Sequence, residues 1–178
     1  MSNIIPVIEP TMVLNEEICK SNIARMAQKA KAAGVTFRPH FKTHQSREIG
    51  EWFRASGVEK ITVSSLNMAM KFAEWGWNDI TVAFPVNCLE HEKINALASK
   101  IRLNLLLVHS EGARQLSECL KYPVGVYLGV DTGYHRDGVD ANNYEYSTLR
   151  TFLNGDFCDK SFSQKQKDMI ILTTLDNS

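Results

Sequence analysis

Short apolar runs rich in β-branched residues alternate along the chain with longer segments whose apolar residues recur at helical spacing. This alternation predicts repeated strand-helix units and a parallel sheet. The clearest helix begins after Asn15, a good N-cap residue, and ends at Ala33, before Gly34 at the C-terminal cap position. Glu16 and Glu17 lie in its first turn, where the helix dipole favours negative charge. We therefore expect an α/β protein whose first long element is this helix.

The other predicted elements follow at regular spacing. We predict strands at residues 11–14, 35–41, 61–64, 80–84, 103–108 and 124–130. We predict further helices at residues 46–56, 67–75, 90–100 and 111–120, with Gly57 and Gly76 ending the first two. From residue 35 onward the strands begin about twenty residues apart, which is the step of a βαβ unit.

Two architectures accept this series, a doubly wound open sheet and a closed (β/α)₈ barrel. The dinucleotide-binding form of the open sheet needs a glycine-rich turn after its first strand, and here the turn reads PHFKTHQS. A full barrel typically needs about 250 residues. A chain of 178 residues therefore offers about five or six of the eight units of a barrel.

The alternation weakens near the carboxyl end. We predict that residues 1–141 form a partial barrel and that residues 142–178 form a divergent tail. Within that tail, NNYEYSTLRTFLNG suits one further helix, and the β-like run at residues 169–175 suits one further strand. A truncated gene product or a change of reading frame would account for such a tail.

The composition narrows the class of protein. The chain is 44% hydrophobic and 22% charged, which excludes a disordered segment. Lys and Arg total 20, as do Asp and Glu, and this balance argues against a nucleic-acid partner. The start has no basic leader, and the apolar run at residues 103–108 is too short to cross a membrane. We therefore expect a soluble cytoplasmic protein, whose four scattered cysteines are reduced thiols.

Polar residues are concentrated where the predicted strand at 35–41 ends, in the segment RPHFKTH. Ligands of parallel α/β folds bind at the carboxyl ends of strands. In an extended chain His40, Lys42 and His44 point to one side. A lysine in a pocket loses water, which favours the neutral amine that attacks a carbonyl compound such as pyridoxal phosphate.

Two other interpretations of this segment stay open. One is that Lys42 only extends its amine into water at the barrel mouth, with both histidines bonded to the backbone. The other is a metal site made by His40 and His44, although on a strand residues four apart are far from each other.

A second polar segment, DTGYHRDG, follows the predicted strand at 124–130. Its glycines permit tight turns, and Arg136 offers a planar fork to an anionic or phenolic oxygen. Asp131 is suited to orient that fork or a nearby backbone amide. The alternative is a polar loop with a surface Asp131–Arg136 pair, which would contribute little.

Together, PHFKTH and DTGYHRDGV resemble the fold-type III pyridoxal-phosphate enzymes, in particular the D-threonine aldolase and D-serine dehydratase group related to alanine racemase. The stretch from EPTMVLN to KTHQ, residues 9–45, is similar to the amino-terminal part of that family. The resemblance covers residues 9–139 and implies an incomplete parallel barrel of the alanine-racemase N-terminal type.

The resemblance implies roles for particular residues. Lys42 matches the lysine that binds pyridoxal phosphate covalently and then exchanges protons at the substrate's α carbon. Arg136 matches the arginine that approaches the phenolic oxygen of the cofactor. His40 and His44 flank the lysine and are expected to shape the cofactor pocket.

The implied function is a lyase that acts on D-3-hydroxy amino acids by aldol cleavage or dehydration. A non-catalytic pyridoxal-phosphate-binding barrel and an amino-acid racemase are the alternatives. The family binds a divalent metal near its carboxyl terminus, and no residues of this sequence match those metal ligands or the late phosphate-binding loops. Exposed strand edges of a partial barrel also lead us to expect a homo-oligomer, most simply a dimer.

Overall fold

Parallel strands and helices alternate along the chain in the computed structural model, which describes residues 8–131, 133–140 and 172–173. The helices of this part are α1 Glu16–Ala32, α2 Arg47–Ala55, α3 Leu66–Glu74, α4 His91–Ala98 and α5 Ser110–Cys119, with a 3₁₀ turn at Cys88–Glu90. The strands are β1 Ile61–Val63, β2 Asp79–Pro85, β3 Arg102–Leu107, β4 Gly125–Asp131, β5 Val139–Asp140 and β6 Leu172–Thr173.

The strands pair in chain order, from β1 to β2, β3 and β4, and every pairing is parallel. The short strands β5 and β6 both pair with β4. A doubly wound sheet reverses its strand order at a switch point, whereas a barrel adds each strand beside the previous one. The observed order is therefore that of a partial barrel, as predicted.

Local capping explains why the helices form where the sequence predicts them. The side chain of Asn15 accepts a hydrogen bond from the backbone N–H of Ile18, and Ser46 and Ser65 cap α2 and α3 in the same way. Gly34, Gly57 and Gly76 follow these three helices with φ values between 66° and 84°. The predicted bounds of the helices are confirmed to within two residues.

Two predicted strands are wrong. Residues 11–14 are not a strand, and Met12 and Val13 are 89% and 64% exposed. Residues 35–41 form only an isolated bridge between His40 and Thr62. Pro39 has no N–H to donate, so the ladder is reduced to two hydrogen bonds, in which Thr62 N donates to Pro39 O and Phe41 N donates to Thr62 O.

The predicted tail falls mostly outside the described residues. Neither the helix expected in NNYEYSTLRTFLNG nor the division at residue 141 lies within the described part. Of the strand expected at residues 169–175, the structure describes Leu172–Thr173, which is β6.

The two faces of the sheet have different characters. Alternate strand residues pack with α3, α4 and α5 in one apolar core, which includes Ile61, Val63, Ile80, Val82, Leu103 and Leu105. The intervening residues face the other way, and among them Thr81 and Asn104 are buried although they are polar. We call this second side the inner face, because the helices lie outside the strands.

A polar network ties the segment before Lys42 to the amino ends of the strands. The Arg38 guanidinium contacts the Asp79 carboxylate at 2.8 Å and donates to the Ile61 carbonyl at 3.2 Å. The side-chain N–H₂ of Asn104 donates to the same carboxylate at 3.0 Å. A Cβ at position 125 would collide with the Asn104 amide, so a glycine there leaves room for the network.

The first prediction is that Asp79→Ala lowers the free energy of unfolding by about 2 to 3 kcal/mol, because Arg38 is left without its partner in a mostly buried site. The two side chains are only 13% and 19% exposed. Urea denaturation of wild type and variant measures the difference.

Glu118→Ala is the matched control, because Glu118 pairs with Arg114 on the exposed surface of α5. This control should change the free energy of unfolding little. Equal effects of the two substitutions would show that the network does not stabilise the fold.

Candidate active site

A row of side chains on the inner face leads to the predicted site. His40 is bridged to Thr62, Thr62 lies beside Thr81, and Thr81 lies beside Asn104 in the parallel register. Asn104 in turn lies beside Gly125. Barrel interiors are usually filled by branched apolar residues. This row is instead polar, and His40 occupies the position nearest Lys42.

Lys42 lies just past this row, at the carboxyl edge of the sheet. Residues 41–44 form a turn, and the Lys42 side chain is exposed. Its backbone N–H donates to Nδ1 of His40 at 3.2 Å. We expected the Lys42 amine to be removed from water in a pocket, but among the described residues no side chain covers it. Because Lys42 is exposed, its amine is open to an incoming ligand.

The His44 side chain packs among aromatic rings, because the turn at residues 41–44 breaks the alternation expected of a strand. Its ring packs edge-on to Phe41 at 4.4 Å and stacks on Phe53 at 5.8 Å between centroids. Nδ1 accepts a hydrogen bond from the Ser46 N–H at 3.1 Å. Nε2 is buried without a partner in the described part of the chain. The structure therefore places His44 in an aromatic cluster beneath the lysine turn.

The loop after β4 is organised by Asp131. One carboxylate oxygen accepts hydrogen bonds from the N–H groups of Gly133 and His135, at 2.9 and 3.0 Å. The other oxygen contacts Nδ1 of His135 at 2.9 Å. The alternative of an Asp131–Arg136 pair is not observed, because Arg136 pairs with Asp137 at 3.3 Å.

Arg136 is exposed and lies with its guanidinium over the ring of Tyr134, 5.4 Å from the centroid. It follows β4, so it belongs to the same carboxyl edge of the sheet as Lys42. A planar donor at this edge is suited to bind an anionic or phenolic oxygen.

A cavity of about 350 Å³ opens at the carboxyl ends of β1 and β2. Polar groups in its wall come from Ser64, Ser65, Asn87 and Glu90, and the remaining wall is apolar. Ser65 and Asn87 are already used as caps of α3 and the 3₁₀ turn. Ser64 is therefore the hydroxyl of the wall without a capping role.

The electrostatics favour neutral histidines and an ionised aspartate. Burial lowers the pKa of His40, and the nearby Lys42 charge lowers it further. Burial also lowers the pKa of His44. The backbone N–H groups of His135 and Gly133 lower the pKa of Asp131, so that its carboxylate stays charged at neutral pH.

The two histidines of the RPHFKTH segment are not arranged as a pair of metal ligands among the described residues. His40 and His44 each accept a backbone hydrogen bond through Nδ1, and their rings lie in different surroundings. Among residues 8–131 and 133–140, no group of three His, Cys, Asp or Glu residues is arranged to hold a metal ion.

The network formed by Arg38, Asp79 and Asn104 is not among the features predicted from the sequence. A charged residue at the start of an apolar strand, as in NDITVAF, was the available signal. Its partner Arg38 is 41 residues away in the chain, so no local pattern connects the two.

Comparison with known proteins identifies the family. The family model described as "Alanine racemase, N-terminal domain" matches residues 15–154. The chain belongs to this family. The match includes both the RPHFKTH and the DTGYHRDG segments, so the resemblance inferred from the sequence is confirmed.

The proteins to which this chain is similar include dehydratases. The chain is 36% identical over 140 residues to a D-threo-3-hydroxyaspartate dehydratase of Delftia sp., covering 75% of this chain and 36% of that protein. It is 28% identical over 162 residues to a D-serine dehydratase of Dictyostelium discoideum, covering 83% of this chain and 41% of that protein.

The fold agrees with the same relatives. A solved structure of a D-threo-3-hydroxyaspartate dehydratase variant matches with a TM-score of 0.71 and 30% identity, over 78% of this chain and 36% of that chain. The chain thus spans 36% to 41% of the length of these relatives. No helix in the described part is long and apolar enough to cross a membrane. A cytoplasmic location stays a prediction.

The second prediction is that lowering the pH from about 8 to about 5.5 reduces the free energy of unfolding, and that His44→Phe weakens this dependence. Burial lowers the pKa of folded His44 below its usual value of 6.5, so the unfolded chain takes up a proton first as the pH falls. The stability contributed by neutral His44 is complete above a pH of about 6.5 and is lost below it.

Urea denaturation of both proteins at the two pH values tests this. At the higher pH, the difference between the two proteins in the free energy of unfolding gives the effect of the substitution apart from protonation. Part of the dependence should remain, because the pKa of His40 is lowered in the same direction. Identical pH dependence in wild type and His44→Phe would contradict the prediction.

Proposed function

We propose that this chain is the cofactor-lysine part of a pyridoxal-phosphate-dependent lyase that acts on D-3-hydroxy amino acids. The observation that carries the proposal is the exposed Lys42 at the carboxyl edge of a partial barrel. The similarity to a D-threo-3-hydroxyaspartate dehydratase and a D-serine dehydratase supports the same substrate class.

The residues present fit one end of the proposed cofactor. Lys42 offers an amine that is exposed and takes part in none of the ion pairs among the described residues. Arg136 offers a planar donor for the phenolic oxygen. The glycine-rich loops that bind the phosphate of such cofactors follow late barrel strands, which lie outside the described residues. The fit is therefore with the aldehyde and ring end of the cofactor.

When bound, pyridoxal phosphate withdraws electrons from the substrate's α carbon and weakens the bonds to it. We assign the accompanying proton movement to Nζ of Lys42, which would remove the α proton of the substrate. In a dehydration the β-hydroxyl group then leaves with a proton, as water. In an aldol cleavage a base would remove the β-hydroxyl proton instead, the bond between the α and β carbons would break to release an aldehyde, and the α carbon would take up a proton.

His40 supports the amine in this proposal. Its Nδ1 accepts the backbone N–H of Lys42, and this contact fixes the turn from which the lysine extends. Burial and the charge of Lys42 lower the pKa of His40, which keeps the ring neutral and able to accept that bond. We assign His44 to the support of the turn through its aromatic contacts.

We prefer dehydration to aldol cleavage, because the relatives named above are dehydratases. Dehydration would also profit from a divalent metal at the leaving hydroxyl, a group that we propose for the whole enzyme without assigning ligands in this chain. We further propose a homodimer, since apolar side chains on and before α1 are exposed, including Ile18 at 60%.

The third prediction is that Lys42 forms the covalent link with pyridoxal phosphate. Incubation with the cofactor, reduction with borohydride, digestion and mass spectrometry should place the adduct mainly on the peptide that contains Lys42. Lys42→Ala should remove this adduct.

Lys60→Ala is the matched control, because Lys60 lies directly before β1, at the opposite edge of the sheet. The control should leave labelling of the Lys42 peptide unchanged. Labelling spread evenly over surface lysines would disprove the proposed cofactor site.

The fourth prediction is that the loaded chain converts D-threo-3-hydroxyaspartate or D-serine to the corresponding oxoacid and ammonia, and that Lys42→Ala lowers this rate by at least about a hundredfold. Oxoacid formation is followed with a coupled dehydrogenase. An adduct on Lys42 without any turnover would instead support the alternative of a non-catalytic pyridoxal-phosphate-binding protein.

A further inference from the structure

We propose that Asp131 is the positioning residue for Arg136, which fixes the direction in which that guanidinium leaves the end of β4. The inference rests on the proposed function for the identity of the ligand that Arg136 meets. The contacts argued to hold the loop are those between described residues of this chain.

Three donors of the loop converge on the single carboxylate of Asp131. The N–H groups of Gly133 and His135 share one oxygen, and the His135 ring contacts the other at 2.9 Å. Asp131 is the last residue of β4 and its side chain is 16% exposed. The loop is thus tied to a rigid strand by a largely enclosed charge.

The backbone just before Arg136 has an unusual conformation. His135 has a φ of 57°, a value that residues other than glycine rarely adopt without local support. Both the backbone N–H and the ring of His135 are held by Asp131. Because φ and ψ of His135 set where residue 136 begins, these contacts determine the path of Arg136.

The loop also returns to Asp131 after Arg136. Gly138 has a φ of 105°, and a Cβ there would lie 2.7 Å from the Asp131 backbone nitrogen. Val139–Asp140 then pairs with Val130 and Asp131 of β4. Arg136 therefore extends from a loop whose two ends both rest on the end of β4.

The guanidinium itself has few other restraints in the described structure. Arg136 is exposed, its Nε donates to Asp137 at 3.3 Å, and its remaining contact is the Tyr134 ring. Both of these partners belong to the same loop. Loss of Asp131 should therefore release the side chain together with its neighbours.

The first test uses the chain without cofactor. The heteronuclear NOE of the Arg136 Nε–H, assigned with Arg136→Lys, reports how restrained the side chain is. Asp131→Ala should reduce it to the value of a free side chain, whereas Asp131→Asn should keep most of it, because the amide oxygen still accepts both backbone N–H groups. Glu118→Ala, which removes an exposed carboxylate, should leave it unchanged. An unaltered NOE in Asp131→Ala would overturn the proposal.

The second test separates positioning from a general effect on folding. Asp131→Ala and Arg136→Ala should each weaken binding of pyridoxal phosphate by about tenfold, the effect of losing one charge-assisted hydrogen bond. Both should shift the absorbance band of the bound cofactor in the same direction. The double variant should bind as Arg136→Ala does, since Asp131 acts only through Arg136. If the double variant binds pyridoxal phosphate about a hundredfold more weakly than wild type, the two substitutions act independently and the proposal is overturned.

These results are distinguishable from failure of the proposed function. If wild type forms no adduct on Lys42, the proposed cofactor site is wrong, and the NOE measurement still decides whether Asp131 positions Arg136. His135→Ala refines the result, because it removes the ring contact and keeps the backbone donors. If this variant keeps the NOE of wild type, the two backbone hydrogen bonds to Asp131 are sufficient to position Arg136. If it loses the NOE, the contact between the His135 ring and Asp131 is required.

Discussion

The segment that carries Lys42 is anchored at its amino end by one charged contact, between Arg38 and Asp79. Residues 35–41 lack a strand ladder of their own, apart from the two hydrogen bonds to Thr62. The Arg38 guanidinium supplies the missing attachment, because it reaches both the Ile61 carbonyl of β1 and the Asp79 carboxylate of β2. The Arg38 side chain therefore attaches this segment to the sheet, whereas the other strands are attached by backbone hydrogen bonds. This makes the candidate site and the stability of the sheet depend on the same few polar groups.

The alternation of the strands separates these polar groups from the apolar core. Residues such as Val63, Val82 and Leu105 face the helices and are 5% exposed or less. Their neighbours Thr81 and Asn104 face inward, in register with His40. An apolar inner face would be expected if the barrel interior served only for packing. A polar row on the inner face that ends beside an exposed lysine is better suited to binding a polar ligand.

The sequence predicts the parts of the fold that depend on neighbouring residues. Helices α1 to α3 are found where capping residues such as Asn15 and Ser46 stand, because a cap acts within three positions of itself. A strand needs a partner that is distant in the chain, and this explains why residues 11–14 resemble a strand and yet form none. The Arg38–Asp79 contact is not predicted for the same reason, because its two residues are 41 positions apart in the chain. For His44 the side-chain direction expected from the sequence rests on the alternation of a strand, which does not continue through the turn at residues 41–44.

The two halves of the candidate site lie at opposite sides of the described sheet. The bridge at His40 precedes β1, whereas Arg136 follows β4, so four strand-to-strand steps separate them. At about 4.8 Å per step, a flat sheet would place the two segments about 19 Å apart. A ligand with one aromatic ring does not reach across that distance. The strands of a barrel tilt and curl, so that their carboxyl ends converge on one mouth. Under the proposed function, curvature of the sheet, rather than any single contact, brings Lys42 and Arg136 to the same ligand.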